Sequence, residues 1–599
     1  MPTPTEDDPR PHGTLPPAPP PADPARNPSP AHLARVRLPR VRLAPGFAVH
    51  PVVFPAAAGL IILAIIGIFA FDADAVQAKA VALRTAMFAR FAWLYVGAMT
   101  AVLLFAGWLA VSPYGKIRLG RDDETPEFGA FAWLAMLFSA GMGTGLMVWG
   151  VAEPVAHYLA PPPGFGMQDT PARLALAATV YHWTLHPWAL YGVVGLAMAF
   201  ASFRKGLPLG FRAMLHPLLG DRVWGRLGDA IDVLAILATL TGVAASLGIG
   251  AQQVNAGLAY LFGIPVNAGV QALLIAIITA CATVSVVLGL GKGIRRLSEA
   301  NIVLAGLLMF AVILAGGALA WIGNTLQTTG DYLALLPGAS VRIGAAGGEQ
   351  AAWTYGWTVF NWAWWIAWSP FVGMFLARIS RGRTLRQYLA GVVLVPTAVT
   401  LAWFAAFGAT TLDLHEDHLQ RVEQAGLETA SADLPTFPVT IEDDQGEPTR
   451  NADGSYATQT VPLTAVQYRQ AAPVSANGRE TVSTLNTTVY AMFEQAFPTR
   501  ALALIAVGLA TVCVALFFVT SSDSASLIID VIATGGDPDP PVATRVFWAC
   551  LEGVAAAALL YAGGLQAVGA ASITTALPFT VLLILACVAL VKSLREERQ

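Results

Sequence analysis

Twelve stretches of about twenty largely apolar residues recur along the chain, at 51–71, 91–111, 128–151, 174–203, 230–250, 270–290, 301–321, 357–375, 388–407, 501–519, 546–560 and 571–591. Each is about long enough to carry a helix across ~30 Å of hydrocarbon. Hydrophobic residues make up 55% of the 599 and charged ones only 12%. That is more apolar surface than a soluble core hides, so the expected class is an all-α polytopic membrane protein with twelve transmembrane helices. The net charge of -3 offers no basic surface for nucleic acid. Cys281, Cys513, Cys550 and Cys587 fall inside apolar runs and read as small hydrophobes, neither a disulfide framework nor a zinc site. Residues 1–45 are polar and rich in proline, without the apolar segment of a signal peptide, and read as a disordered tail.

Lysine and arginine are distributed unevenly between the loops. Arg35, Arg37, Arg40 and Arg42 precede the first run, and Lys116, Arg118 and Arg121 follow the second. Arg204, Lys205, Arg212, Arg222 and Arg226 follow the fourth; Lys292, Arg295 and Arg296 the sixth; Arg378, Arg381, Arg383 and Arg386 the eighth. The alternate loops are poor in both, so both termini are expected on the cytoplasmic side. One external loop, 413–498, is long and acidic, with Glu442, Asp443, Asp444 and Glu447 close together. It reads either as a solvated insertion or as a small folded cap affecting solute access.

Two runs are interrupted. The third carries Gly141-Met142-Gly143-Thr144-Gly145, where the chain can unwind and a ligand can approach the backbone. The eighth carries Ser369-Pro370, and proline removes a donor from the helical ladder. Irregular backbone at membrane depth is expected where it lines a cavity or packs on protein. Glycines can also serve tight helix packing, although three at alternate positions fit one face poorly. The breaks lie five runs apart, which suggests two inverted five-helix repeats, a plan common in secondary transporters.

The fourth run contains His182, Trp183, Trp188 and Tyr191; the eighth contains Trp357, Trp362, Trp364, Trp365 and Trp368. Tryptophan ordinarily marks the interfacial belts, but two such clusters beside prolines and breaks suggest a central cage. Ring faces attract a quaternary ammonium, which donates no hydrogen bonds, at ~0.5–2 kcal/mol each. A solute carboxylate would meet backbone N–H groups of the unwound third run at Gly143, Thr144 and Gly145. His182 and His186 stand at metal-chelating spacing, but no third ligand is evident in sequence, so a hydrogen-bonding role is expected. Glu153, Asp232 and Glu552 are functional candidates as intramembrane acids. Each falls near an expected helix end, where pairing roles also serve.

The stretches GMGTGLMVWGVAEP, HWTLHPWALY, GKGIRRLSEAN, WAWWIAWSPFVGMFLARISRGRT and FFVTSSDSAS resemble the betaine/carnitine/choline transporter family, a likeness running from about residue 51 to the C-terminus. The resemblance implies a LeuT-type 5+5 inverted repeat preceded by two peripheral helices, usually as a homotrimer in the bacterial inner membrane. The implied divisions are the tail (1–45), the peripheral spans (46–127), the repeats (128–325 and 326–592) and a short cytoplasmic C-terminus (593–599). It implies that Trp183, Trp188, Tyr191, Trp365 and Trp368 form the cage, with Trp364 and Phe375 lining the adjoining pathway. It also implies one Na⁺ held by backbone carbonyls of Ser139, Met142 and Phe517 and the hydroxyls of Thr520 and Ser521, hard oxygen donors suited to such an ion.

Two departures from the family pattern matter. A second ion site in some members uses two threonines one helical turn apart. Here Thr239 is present, but Val243 offers no ligand and Thr241 lies ~200° around the helix. That puts the second site, which would also draw on Tyr191 and Phe371, in question. The chain also lacks the long basic C-terminal tail of osmosensing members, so that mode of regulation is not expected. Choline-preferring members carry an aspartate where Gly145 stands, so a zwitterion such as glycine betaine is expected. Choline, carnitine, proline, ectoine and dimethylsulfoniopropionate stay open, as do proton coupling, exchange and a non-transporting sensor. No nucleophile–base pair is apparent, so an enzyme is not expected, and no cofactor beyond the coupling ion is implied.

Overall fold

In a computed structural model of the chain, residues 36, 38–71, 73–142, 145–167, 170–288, 293–424, 434, 436–440, 458–467, 484–561 and 565–598 are described. Apolar composition at helical length dictates the architecture, because a helix satisfies its own backbone groups in lipid. Among the described residues ten helices are long and apolar enough to cross a membrane, and a pair bent by 56° makes eleven if it counts as one span. The protein is a multi-pass membrane protein.

Helices α1 (Val53–Ala70) and α2 (Ala73–Val111) stand at the periphery, and Leu60, Leu63 and Ile66 of α1 are exposed as lipid-facing residues must be. The bent pair is α3 (Ala130–Met142) and α4 (Gly145–Leu159). The fourth run is also broken. It forms α5 (Pro171–Trp183) and α6 (Leu185–Ala199), with Thr184 between them at φ −115°, ψ −114°. Pro187 explains the break: it has no N–H for the Trp183 carbonyl, and its ring would strike that oxygen. Next come α7 (Arg226–Phe262), α8 (Ala268–Leu288) and α9 (Ile294–Gly316).

Gly317, at φ +93°, then turns the chain into α10 (Ala318–Ala339). This helix was not foreseen. It is not among the spanning candidates, and it buries only one stripe, Thr328, Asp331, Tyr332, Leu335 and Ala339. Spacing of that kind describes a surface helix, and the Arg173–Asp331 ion pair (2.6 Å) ties it to α5.

The expected span at 357–375 is α11 (Gly348–Thr354), a π-turn and α12 (Phe360–Ile379). It is absent from the spanning set because indole rings score poorly on hydropathy, yet 17 of the 20 residues of α12 are buried. Other helices, rather than lipid, surround it. Beyond it run α13 (Leu385–Leu389), α14 (Val395–Phe404) and α15 (Thr410–Gln424), joined by two π-turns. The first π-turn contains Val392, whose carbonyl Pro396 cannot serve. The last helices are α16 (Thr484–Ala496), α17 (Arg500–Ala533), α18 (Val542–Tyr561) and α19 (Leu565–Arg598).

Several expectations at the edges need correction. Of the tail 1–45, residues 1–35 and 37 lie outside the described residues, but its end is ordered: Val41–Ala44 pairs antiparallel with Phe47–Val49 around Gly46. The hairpin docks through His50 N–H, which donates to the Ala533 carbonyl (2.8 Å). At the other end, α19 continues to Arg598, and Glu597 pairs with Arg204 and Lys205 (2.6 Å each). The segment expected as a short C-terminus is largely helical and anchored. The loop 413–498 is folded where described. Strands Thr436–Thr440 and Thr458–Pro462 pair, and α16 packs on α4 and α7, with Tyr490 Oη donating to the Gln253 carbonyl (2.9 Å). The acidic stretch at Glu442–Glu447 lies outside the described residues.

The loops rich in Arg and Lys share one face and are cross-tied. Leu119 N–H donates to the Arg383 carbonyl (2.8 Å), Leu385 N–H to that of Ile117 (2.9 Å), and Arg378 pairs with Glu127 (3.2 Å). At the same face, buried Arg212 bridges Asp232 (2.6 Å) and Asp229 (2.9 Å). Burial and the nearby Arg212 guanidinium push the His50 imidazole below its ordinary value, against the pull of Asp229. Arg212→Met should lower stability by about 3–5 kcal/mol, because it strands a buried carboxylate. A thermal melt followed by size-exclusion chromatography measures this.

A candidate solute site built of aromatic rings

The two broken spans bring their tryptophans together. Trp183, the last residue of α5, meets Trp365 of α12 edge to face, with centroids 5.1 Å apart at 89°. Trp365 meets Tyr191 at 5.8 Å and 81°, and Tyr191 meets Trp188 at 5.8 Å and 86°. Four of the five expected cage rings thus form one chain of nearly perpendicular contacts, all buried. Trp368, one turn beyond Trp365, is also buried and packs against Phe371 (5.7 Å). Trp364 lies behind Trp365 (6.4 Å, 18°) and touches Trp149. Phe375 is buried two turns further along α12, toward the basic face.

Backbone contacts fix the rings from outside. Trp365 Nε1 donates to the His182 carbonyl (3.0 Å), freed by the break at Thr184, and Trp368 Nε1 donates to that of Gly242 (2.9 Å). Glycines lie against three rings. A β-carbon at Gly141 would come 2.6 Å from Trp188, one at Gly145 3.0 Å from Trp183, and one at Gly242 2.8 Å from Trp368. Gly141 and Gly145 therefore make room for the rings, a role additional to the backbone contact expected of the segment. Gly143 and Thr144 lie outside the described residues.

Two polar atoms in the cage, Trp188 Nε1 and Tyr191 Oη, are buried without a hydrogen-bond partner among the described residues. An unmet buried donor costs ~1–3 kcal/mol, so these two atoms have capacity to spare for a polar group entering the cage.

The position of Glu153 departs from expectation. It lies inside α4, wholly buried, and not at a helix end. Its Oε2 accepts from Trp183 Nε1 (2.7 Å), while Oε1 lies 2.7 Å from His182 Nδ1 and 3.3 Å from His157 Nε2. His182 thus has a carboxylate and a second histidine beside it, although His186, its expected i, i+4 partner, turns instead to Ser340 Oγ (3.3 Å) and stacks on Trp362. The available signal was Glu153-x-x-x-His157 at one-turn spacing in an apolar run. Glu552 is likewise buried mid-helix and accepts from Ser522 (3.0 Å), while Asp232 does pair, with Arg212.

Two residues of the expected ion site meet through their side chains: Ser139 Oγ of α3 lies 3.1 Å from Thr520 Oγ1 of α17, and the Ser521 hydroxyl is buried without a partner among the described residues. Thr239 keeps an unpartnered, buried hydroxyl, but Val243 stands in the second position and Thr241 bonds to its own helix at Leu237 (2.8 Å).

A cavity of about 430 Å³ adjoins this assembly, with Arg84, Trp149, Glu153, Trp357, Phe360 and Asn361 among its lining. Trp357 and Phe360 sit at the end of the eighth span opposite Arg378–Arg386, so the cavity opens on the face away from the basic loops. Trp183→Phe would remove the indole N–H together with part of the ring, and leave Glu153 Oε2 short of a donor. The expected loss of stability is about 1–3 kcal/mol, measurable as a lower melting midpoint of the purified protein.

The profile of the BCCT, betaine/carnitine/choline family transporter, matches residues 51–440 and 457–599. Glycine betaine transporter 1 of Vibrio parahaemolyticus is 41% identical over 567 residues, covering 92% of this chain and 95% of its own. The glycine betaine transporter OpuD of Bacillus subtilis is 38% identical, over 85% of this chain and 88% of its own. A Vibrio parahaemolyticus glycine betaine/proline/choline/ectoine transporter is 37% identical, over 92% and 88%. The chain belongs to the betaine/carnitine/choline transporter family and is a transporter, not an enzyme.

Proposed function

We propose that the protein imports glycine betaine by Na⁺ symport with alternating access. The observation that carries this reading is the set of four buried rings, Trp183, Trp365, Tyr191 and Trp188, joined edge to face, with unmet donors at Trp188 Nε1 and Tyr191 Oη. Four ring faces would offer a trimethylammonium on the order of 2–8 kcal/mol before ordering and desolvation are subtracted. The two donors, with backbone N–H groups at the start of α4, would receive the carboxylate. Gly145 brings no charge to a position where choline-preferring members carry an aspartate, which favours a zwitterion.

Sodium would be held by the carbonyls of Ser139, Met142 and Phe517 with the Thr520 and Ser521 hydroxyls. The unpartnered Ser521 Oγ and the closeness of Ser139 to Thr520 support that donor set. The ion would bridge α3 and α17, next to the glycine break that backs Trp183 and Trp188. Its binding would thereby bias the same backbone that positions the cage. The reading includes twelve spans in a LeuT-type inverted repeat, both termini cytoplasmic and a homotrimer. A wider range of solutes is the second reading, favoured by relatives named for proline, choline and ectoine as well as betaine.

The test is uptake of labelled betaine into proteoliposomes with and without a Na⁺ gradient. Sodium-dependent uptake that excess choline fails to compete supports the proposal. Sodium-independent exchange would overturn the coupling, and binding of choline without betaine would overturn the zwitterion reading. Trp365→Leu should abolish betaine-dependent quenching of tryptophan fluorescence while the protein still elutes as a folded species. Ser521→Ala, by removing one ligand at ~1–2 kcal/mol, should raise the Na⁺ concentration for half-maximal uptake about tenfold.

A further inference from the structure

We propose that Glu153, His157 and His182 form a binding site for a first-row divalent cation, Zn²⁺ in particular, reached from the cavity beside the cage. Glu153 and His157 stand one turn apart on α4, and His182 precedes the break at the end of α5. Their three ligand atoms lie within 4.8 Å of one another, and all three residues are buried. Two imidazoles and a carboxylate with a fourth position left open are the ligand set of many accessible zinc sites. Ligands 2.0–2.1 Å from a tetrahedral ion are about 3.3 Å apart. The His157–Glu153 separation is already 3.3 Å, and the His182–Glu153 pair at 2.7 Å would open by roughly 0.6 Å.

Two further observations point to a cation. A carboxylate without a cation beside it is costly to bury. Among the described residues no lysine or arginine is bonded to Glu153, which faces two imidazoles and an indole. His182 Nε2 lies 3.1 Å from Thr358 Oγ1. When the metal takes His157 Nε2 and His182 Nδ1, each neutral ring carries its proton on the other nitrogen. For His182 that proton meets Thr358, the outer-shell contact a metal-bound histidine ordinarily has. Glu153 also lines the 430 Å³ cavity, which gives a route to the carboxylate end of the site.

The consequence for transport rests on the betaine reading; the site itself does not. Glu153 holds Trp183 through Oε2, so a metal on Oε1 acts on the carboxylate that positions a cage ring. Bound Zn²⁺ is expected to slow uptake.

The test uses full-length protein purified without a histidine tag and stripped with chelator. Titration with Co²⁺ should produce the visible absorption of a four-coordinate complex at one ion per chain, and Zn²⁺ should displace it. Glu153→Gln and His157→Ala should each weaken Co²⁺ binding at least about tenfold, whereas His216→Ala should not. X-ray absorption of the Zn²⁺-loaded wild type, which needs no variant to fold, should report two imidazoles and oxygen. Absence of binding, binding unchanged in both variants, or a shell without imidazole would overturn the site. Zn²⁺ binding with uptake unaltered from the chelator-treated reference would overturn the link to the cage and leave the betaine reading standing.

Discussion

Everything in this protein is arranged around the demand that backbone groups in a bilayer find partners without water. The helices facing lipid are uninterrupted, as α1 illustrates. The bent pair α3 and α4, the break at Thr184 and the helix that contains Pro370 lie in segments shielded by other helices. Once a helix is enclosed it can leave carbonyls unbonded, and the His182 carbonyl, freed by the break at Thr184, becomes the anchor of Trp365. The cage is a consequence of broken helices, because the same break that ends α5 supplies the acceptor for a ring of α12.

Glu153 shows the complementary side of that demand. Three nitrogens from two helices, His157 Nε2, His182 Nδ1 and Trp183 Nε1, surround the buried Glu153 carboxylate. The charge therefore sits beside the cage and not inside it. A ring cage holds a quaternary cation without an ion pair, which leaves the carboxylate of a zwitterion free of repulsion from a protein carboxylate in the cage itself.

Much of this was legible in the sequence, and the limits have physical causes. The eighth span was readable although its tryptophans depress its hydropathy, because Trp362, Trp364, Trp365 and Trp368 recur on one short run beside Pro370. The pairing of span three with span ten was implied by the family motifs, and the structure places Ser139 against Thr520. What spacing could not convey were contacts between helices far apart in sequence. Glu153 meets His182 across 29 residues, and His186, with the more suggestive spacing, faces away toward Ser340. Helix α10 was hidden because its start reads as the tail of an apolar run. The conformation of Gly317, which divides the two, does not show in composition.

Three of the five cage rings rest on glycines, at 2.6–3.0 Å from where a β-carbon would be. Rings seated this way are set by the backbone against them: a β-carbon at Gly141, Gly145 or Gly242 would have to displace Trp188, Trp183 or Trp368. The aperture of the cage is therefore defined in part by three places where the main chain carries no side chain.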